Sequence, residues 1–98
     1  MNTYNTFHHG PRKGQPKTLT DRVIRYLIEG RELQEVNSKS KYRQFIDPKN
    51  LVKYFAGKAG AVRTGQSASN SQSITDIIHK NMEAWEIKNN LFVEVKND

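Results

Sequence analysis

KYRQFIDPKNLVKYFAG, residues 41–57, decides the fold. Two runs rich in aromatic and apolar residues flank Asp47-Pro48-Lys49-Asn50, and that tetrapeptide has two readings. As a type I turn, with aspartate first and proline second, it folds the runs into a hairpin. As a helix start, Asp47 is an N-cap, Pro48 suits the first turn and Gly57 ends the helix. Leu51, Val52, Tyr54 and Phe55 would then share one helical face. The hairpin is preferred, because aromatic and β-branched residues dominate the run and a helix of about eight residues is marginal alone.

The hairpin carries a register. With Ile46 opposite Leu51, Tyr42 faces Phe55 and Arg43 faces Tyr54. The following GKAG, residues 57–60, becomes a second turn that sets Ala56 opposite Ala61, Phe55 opposite Val62 and Tyr54 opposite Arg63. Period-two alternation then sorts the side chains. Tyr42, Ile46, Leu51, Phe55 and Val62 form the expected core face. Lys41, Arg43, Phe45, Val52, Tyr54 and Arg63 form the other, which mixes cations with aromatics.

Outward from the hairpin, helices are expected on both sides. Toward the N-terminus, Thr18 and Asp21 have capping-box spacing, with aspartate in place of the usual glutamate or glutamine. Leu19, Val23, Tyr26 and Leu27 recur at helical intervals, widened by Ile24 and Ile28, and Gly30 is a C-terminal stop. Leu33 to Val36 reads as a short strand. Residues 1–17 hold Gly10, Pro11, Gly14 and Pro16 without an apolar period and read as a flexible basic arm, Arg12, Lys13 and Lys17 being its cations. Toward the C-terminus, GQSASNSQ at 65–72 is a polar connector. Ser73 caps a second helix, and Asp76 lies where the helix dipole favours an anion. Its stripe is Ile74, Ile77, Ile78, Met82 and Trp85, with Trp85 a core anchor and Glu83 and Glu86 on a solvated face. Leu91, Val93 and Val95 alternate as an edge strand, an edge open to pairing with a second copy. The expected architecture is α+β: an N-terminal helix, a small antiparallel sheet of three to five strands, and a C-terminal helix over one sheet face. Residues 18–98 form its single domain.

Composition narrows the function. The chain has 98 residues, 35% hydrophobic and 27% charged, enough for one thin core. No apolar run is long enough to span a membrane, the N-terminus has no signal-peptide stretch, and there is no cysteine, so a cytoplasmic location is expected. The net charge is +6, and it is segregated: residues 37–73 hold seven basic side chains against Asp47 alone, whereas 74–98 hold three against five acids. Such a field attracts phosphates or an acidic protein surface; the plain alternative is a solvated basic face.

Motif chemistry is sparse. Lys58 follows Gly57, but Ala59 stands where a phosphate-binding P-loop needs serine or threonine, and the earlier glycine is missing. GKAG matches the GxxG of KH domains, but Ala61-Val62-Arg63-Thr64-Gly65 is a poor helix start where that motif needs a helix. The adjacent His8 and His9 lack further spaced ligands, and no spacing resembles a zinc or calcium site. Ser67, Ser69, Ser71 and Ser73 have no evident base, and His79 reads as a structural histidine. Neither an enzyme nor a cofactor is expected.

The stretch KYFAGKAGAVRTGQSASNSQSITD, residues 53–76, resembles small accessory proteins from phages and mobile elements of Gram-positive bacteria. The resemblance implies a compact, cytoplasmic, non-enzymatic protein that acts on DNA, regulates phage genes or disables a host protein. It transfers no site residue. From the residues themselves, the expected binding surface is Lys41, Arg43, Tyr54, Lys58 and Arg63, cations to neutralise phosphates and an aromatic to stack on an unpaired base. The function expected first is nucleic-acid binding in an accessory or regulatory role. The alternative is an inhibitor or regulator that docks the same patch on an acidic host protein, occupying a surface that normally receives DNA. A monomer and a homodimer both remain open.

Overall fold

Helix α1, Leu19–Arg25, starts at the expected cap. Thr18 Oγ1 accepts the Asp21 backbone N–H at 3.0 Å and donates to the Asp21 carboxylate at 2.7 Å. The helix runs into one π-helical stretch, Tyr26–Gly30, closed by the Arg31 N–H on the Tyr26 carbonyl at 2.9 Å. Gly30 has a role there besides ending the helix. A Cβ on it would lie 2.5 Å from the Tyr26 ring and 3.1 Å from Trp85, two rings that pack edge-to-face with centroids 5.5 Å apart.

The computed structural model describes residues 4–36, 41–65 and 71–91. Within them four strands follow in sequence: β1 Gln34–Val36, β2 Arg43–Ile46, β3 Lys53–Ala56 and β4 Val62–Thr64. They pair antiparallel in the order β1-β2-β3-β4. Helix α2, Ser71–Lys88, follows. This is the expected α+β architecture, and the hairpin reading of residues 41–57 holds. Both helices lie on one sheet face. Phe45, Ala56 and Val62 from the sheet are buried in one cluster with Val23, Ile24, Tyr26 and Leu27, with Leu33, and with Ile78 and Met82 of α2.

The register differs from the expectation, and with it the choice of core face. Ile46 pairs with Lys53, Phe45 with Tyr54, Gln44 with Phe55 and Arg43 with Ala56. The turn is wider than a four-residue type I turn. Asp47 N–H donates to the Val52 carbonyl at 2.9 Å and its carbonyl accepts the Leu51 N–H at 2.7 Å. Asp47 Oδ1 takes the Lys49 N–H and Asn50 Oδ1 takes the Val52 N–H. Leu51 therefore belongs to the loop, at φ +62° and 70% exposed, not to the core. Since the displacement is by two residues, Tyr42, Ile46 and Phe55 stay on one face as expected, but that face is turned away from the helices.

The second turn is corrected by one residue. Gly57 N–H bonds the Ala61 carbonyl at 2.7 Å, leaving a three-residue turn, Lys58–Gly60, with Ala59 at φ +55° and Gly60 at φ +73°. Phe55 consequently faces Arg63, and Ala56 faces Val62. A one-residue slip exchanges faces, so Val62 reaches the core beside Ala56 while Arg63 joins Phe55 on the opposite side.

On α2, Ile78 and Met82 are buried and Ile74 and Trp85 pack against the cluster. Ile77, placed on the buried stripe from sequence, is 52% exposed. Glu86, read as part of a solvated face, is 2% exposed. It accepts Arg22 Nε at 2.8 Å and Arg25 at 2.7 Å, so a charged cluster joins α1 to α2.

The segment read as an arm is hydrogen-bonded to itself and to α1. Phe7 N–H donates to Gln15, Gly14 N–H to Phe7 and Lys17 N–H to Asn5. Asn5 N–H reaches the Asp21 carboxylate at 3.0 Å and the Tyr4 hydroxyl donates to Glu29 at 2.6 Å. The expected strand at 91–95 and the connector serines Ser67 and Ser69 lie outside the described residues, apart from Leu91.

Candidate nucleic-acid interface

Strand alternation distributes the five side chains expected at the binding surface over two faces. Arg43 and Tyr54 point to the helix side. Arg43 forms a bidentate pair with Glu35, both contacts at 2.6 Å, an arrangement that engages one edge of the guanidinium and neutralises its charge. Tyr54 packs against the core, its hydroxyl accepts Arg31 at 3.2 Å, and the Arg31 guanidinium lies 5.2 Å from its ring centroid. Both residues are committed to the fold.

Arg63 lies on the opposite, helix-free face. So do two rings that the sequence assigned to the core, Tyr42 and Phe55. Cross-strand pairing lays out this face in rows: Gln34, Ile46 and Lys53 in one, then Val36, Gln44, Phe55 and Arg63. Tyr42 continues it past the end of β2, its ring over Gly57, where a Cβ would collide with it. The Arg63 guanidinium lies 4.5 Å from the Tyr42 ring centroid, well within cation–π distance. None of Tyr42, Ile46 or Phe55 belongs to the buried cluster. The rows contain no carboxylate.

Lys41 and Lys58 stand at one end of this face. Together with Tyr42 and Ala61 they line a cavity of about 290 Å3. Lys58 is at the tip of a fixed turn. Thr20 Oγ1 donates to the Gly57 carbonyl at 3.3 Å and accepts the Gly60 N–H at 3.1 Å, while His79 Nε2 lies 3.0 Å from the Gly60 carbonyl oxygen. His79 is thus a partner of the turn.

The structure therefore gathers Lys41, Lys58 and Arg63 and separates them from Arg43 and Tyr54. Tyr42, Phe55 and Lys53 take the vacated places. A signal for this was present in the sequence. Gln44 and Lys53 alternate in phase with Phe55, so the supposed core face carried two polar groups. Ala56, by contrast, is in phase with Phe45 and is small enough for a helix to lie close above it.

Among the described residues, no group of three or more His, Cys, Asp or Glu is placed to hold a metal ion. No described helix is long and apolar enough to cross a membrane. Comparison with protein-family models, curated proteins and solved structures finds no match.

Proposed function

We propose that the helix-free sheet face binds single-stranded nucleic acid, in an accessory or regulatory role rather than a catalytic one. The observation that carries this is the pairing, on one side of the sheet, of flat π surfaces with cations that no described carboxylate neutralises. Arg63 lies over Tyr42 and is the cross-strand partner of Phe55, with Lys53 in the adjacent row and Lys41 and Lys58 at the end. Bases stack on aromatic rings and on guanidinium planes, and lysines follow the phosphates. An unpaired strand can present base faces to such a surface, whereas a duplex offers only its edges and backbone.

Fluorescence anisotropy with a labelled single strand of about 10 nucleotides, within the span of known single-strand sites, tests this at several salt concentrations. Affinity should fall with salt, with a log–log slope of about −0.7 per phosphate neutralised. Phe55→Ala and Arg63→Ala should each weaken binding by roughly 5- to 100-fold, the range of base–aromatic stacking. Arg43→Ala should leave affinity nearly unchanged, since that side chain is on the helix side and paired with Glu35. Absence of binding at low salt, or an Arg43→Ala loss equal to that of Arg63→Ala, rejects the proposal.

A second reading, an inhibitor or regulator that docks on an acidic protein surface, is favoured by one feature. Leu51, 70% exposed, tips the β2–β3 loop close in sequence to Lys49 and Lys53, and an apolar tip contributes nothing to phosphate binding. A partner retained after nuclease treatment and lost with Leu51→Ser supports this reading.

A further inference from the structure

Among the described residues, the cavity at the end of the sheet face is lined by side chains of unlike chemistry: Lys41 and Lys58, the aromatic Tyr42 and the small Ala61. Its volume of about 290 Å3 lies at the lower limit for small-ligand pockets. It has room for a single nucleotide. Arg63, over the same Tyr42 ring, adds a third cation beside it, and none of the described lining residues is acidic.

The rim of this cavity is held from behind. Thr20 bonds both Gly57 and Gly60, and His79 bonds Gly60. Gly60 is at φ +73°, and a Cβ there would lie 2.8 Å from Leu19, so helix α1 packs directly against the turn. The backbone that carries Lys58 is therefore positioned before any ligand arrives, which reduces the ordering cost of binding.

We propose that this cavity is a mononucleotide subsite: a phosphate sits between Lys41 and Lys58, and the attached base lies against the Tyr42–Arg63 stack. The assignment rests on the reading of the open face as a nucleic-acid platform and gives that platform a defined end.

Backbone-amide NMR titrations with thymidine monophosphate, thymidine and inorganic phosphate test it. Thymidine monophosphate should shift the Lys58 and Ala61 amides at lower concentration than either fragment. Lys41→Ala and Lys58→Ala should each weaken it about two- to fivefold, the reach of an exposed ion pair, and both side chains are free of packing roles that would unfold the protein. Thr20→Val, which touches no ligand, should weaken it by releasing the turn, and Thr20→Ser should restore it. Equal affinity for thymidine and its monophosphate overturns the phosphate assignment. Equal affinity for inorganic phosphate and the nucleotide overturns the base assignment. Shifts that leave Lys58 and Ala61 unmoved overturn the site. Should oligonucleotides bind through Phe55 while the nucleotide leaves this cavity untouched, the subsite falls and the platform stands. Should the nucleotide occupy the cavity while Phe55→Ala has no effect on oligonucleotides, the platform falls and the subsite stands.

Discussion

Gly57 shows how one residue sets the chemistry of the open face. Its backbone, at φ −113° and ψ −164°, is extended, a conformation any residue adopts. The requirement for glycine comes from Tyr42, whose ring occupies the space a Cβ would fill. Gly57→Ala should therefore cost about 1–3 kcal/mol, the usual cost of overpacking, measurable by urea denaturation. It should also displace Tyr42 from Arg63 and weaken oligonucleotide binding in proportion. A glycine in a run such as YFAGKAG signals a turn in any sequence-based reading, and Gly57 does flank one. Its role as a bed for a ring across the sheet depends on a cross-strand register that the sequence does not display.

Among the elements, the β2–β3 loop and the α1–α2 joint account for most of the difference between expectation and structure. Asp47-Pro48-Lys49-Asn50 announced a turn, and a turn is present. Its length was hidden, because the bonds that widen it run from the Asp47 and Asn50 side chains to the backbone two residues on. The result is a leucine at φ +62°, where asparagine is much better tolerated. Leu51→Asn should raise stability by about 0.5–1 kcal/mol, a fraction of the left-handed penalty, read as a higher urea midpoint with an unchanged slope. At the α1–α2 joint the sequence carries a signal of the contact. Ile78, Met82 and Glu86 are spaced four apart, so a carboxylate follows two buried positions on one helical stripe. Arg22 and Arg25, three apart on α1, are the complement. Glu86→Gln should cost about 3–5 kcal/mol, since it leaves the buried Arg25 guanidinium uncompensated and removes the partner of the partly exposed Arg22; denaturation of the variant beside Glu83→Gln, an exposed control, checks this.

For the molecule as a whole, the α+β class and helix-strand order were legible because periodicity changes along the chain: a 3.6-residue pattern, then alternation, then 3.6 again. Which sheet face the helices cover was marked only by Gln44 and Lys53 on one face and the small Ala56 on the other, since both faces of the hairpin mix aromatics with polar groups. The N-terminal segment was equally opaque, as its attachment uses single long-range bonds and the packing of one ring, Tyr4, on the core, with no apolar period. One of these bonds has a pH signature. Burial, and then the hydrogen bond to Glu29, push the Tyr4 hydroxyl up to about 12 from its ordinary 10.0. The folded state holds that proton more tightly than the unfolded chain does. Its contribution is thus complete below pH 10 and is lost as pH rises from about 10 to about 12. Tyr4→Phe should flatten the stability profile across that window and leave the profile at neutral pH parallel to that of the wild type, as followed by thermal unfolding at stepped pH.

The cluster of Glu86 with Arg22 and Arg25 also governs assembly in time. Its members are separated by 61 and 64 positions, so the first helix is synthesised long before the anion that neutralises it leaves the ribosome. Until then the two guanidinium groups have to remain hydrated, and the apolar stripe beside them has no lid. A chain cut before position 86 should therefore lack the counter-charge of Arg25 and the cover of its apolar stripe, and is expected to lose the cooperative urea transition that the full chain shows.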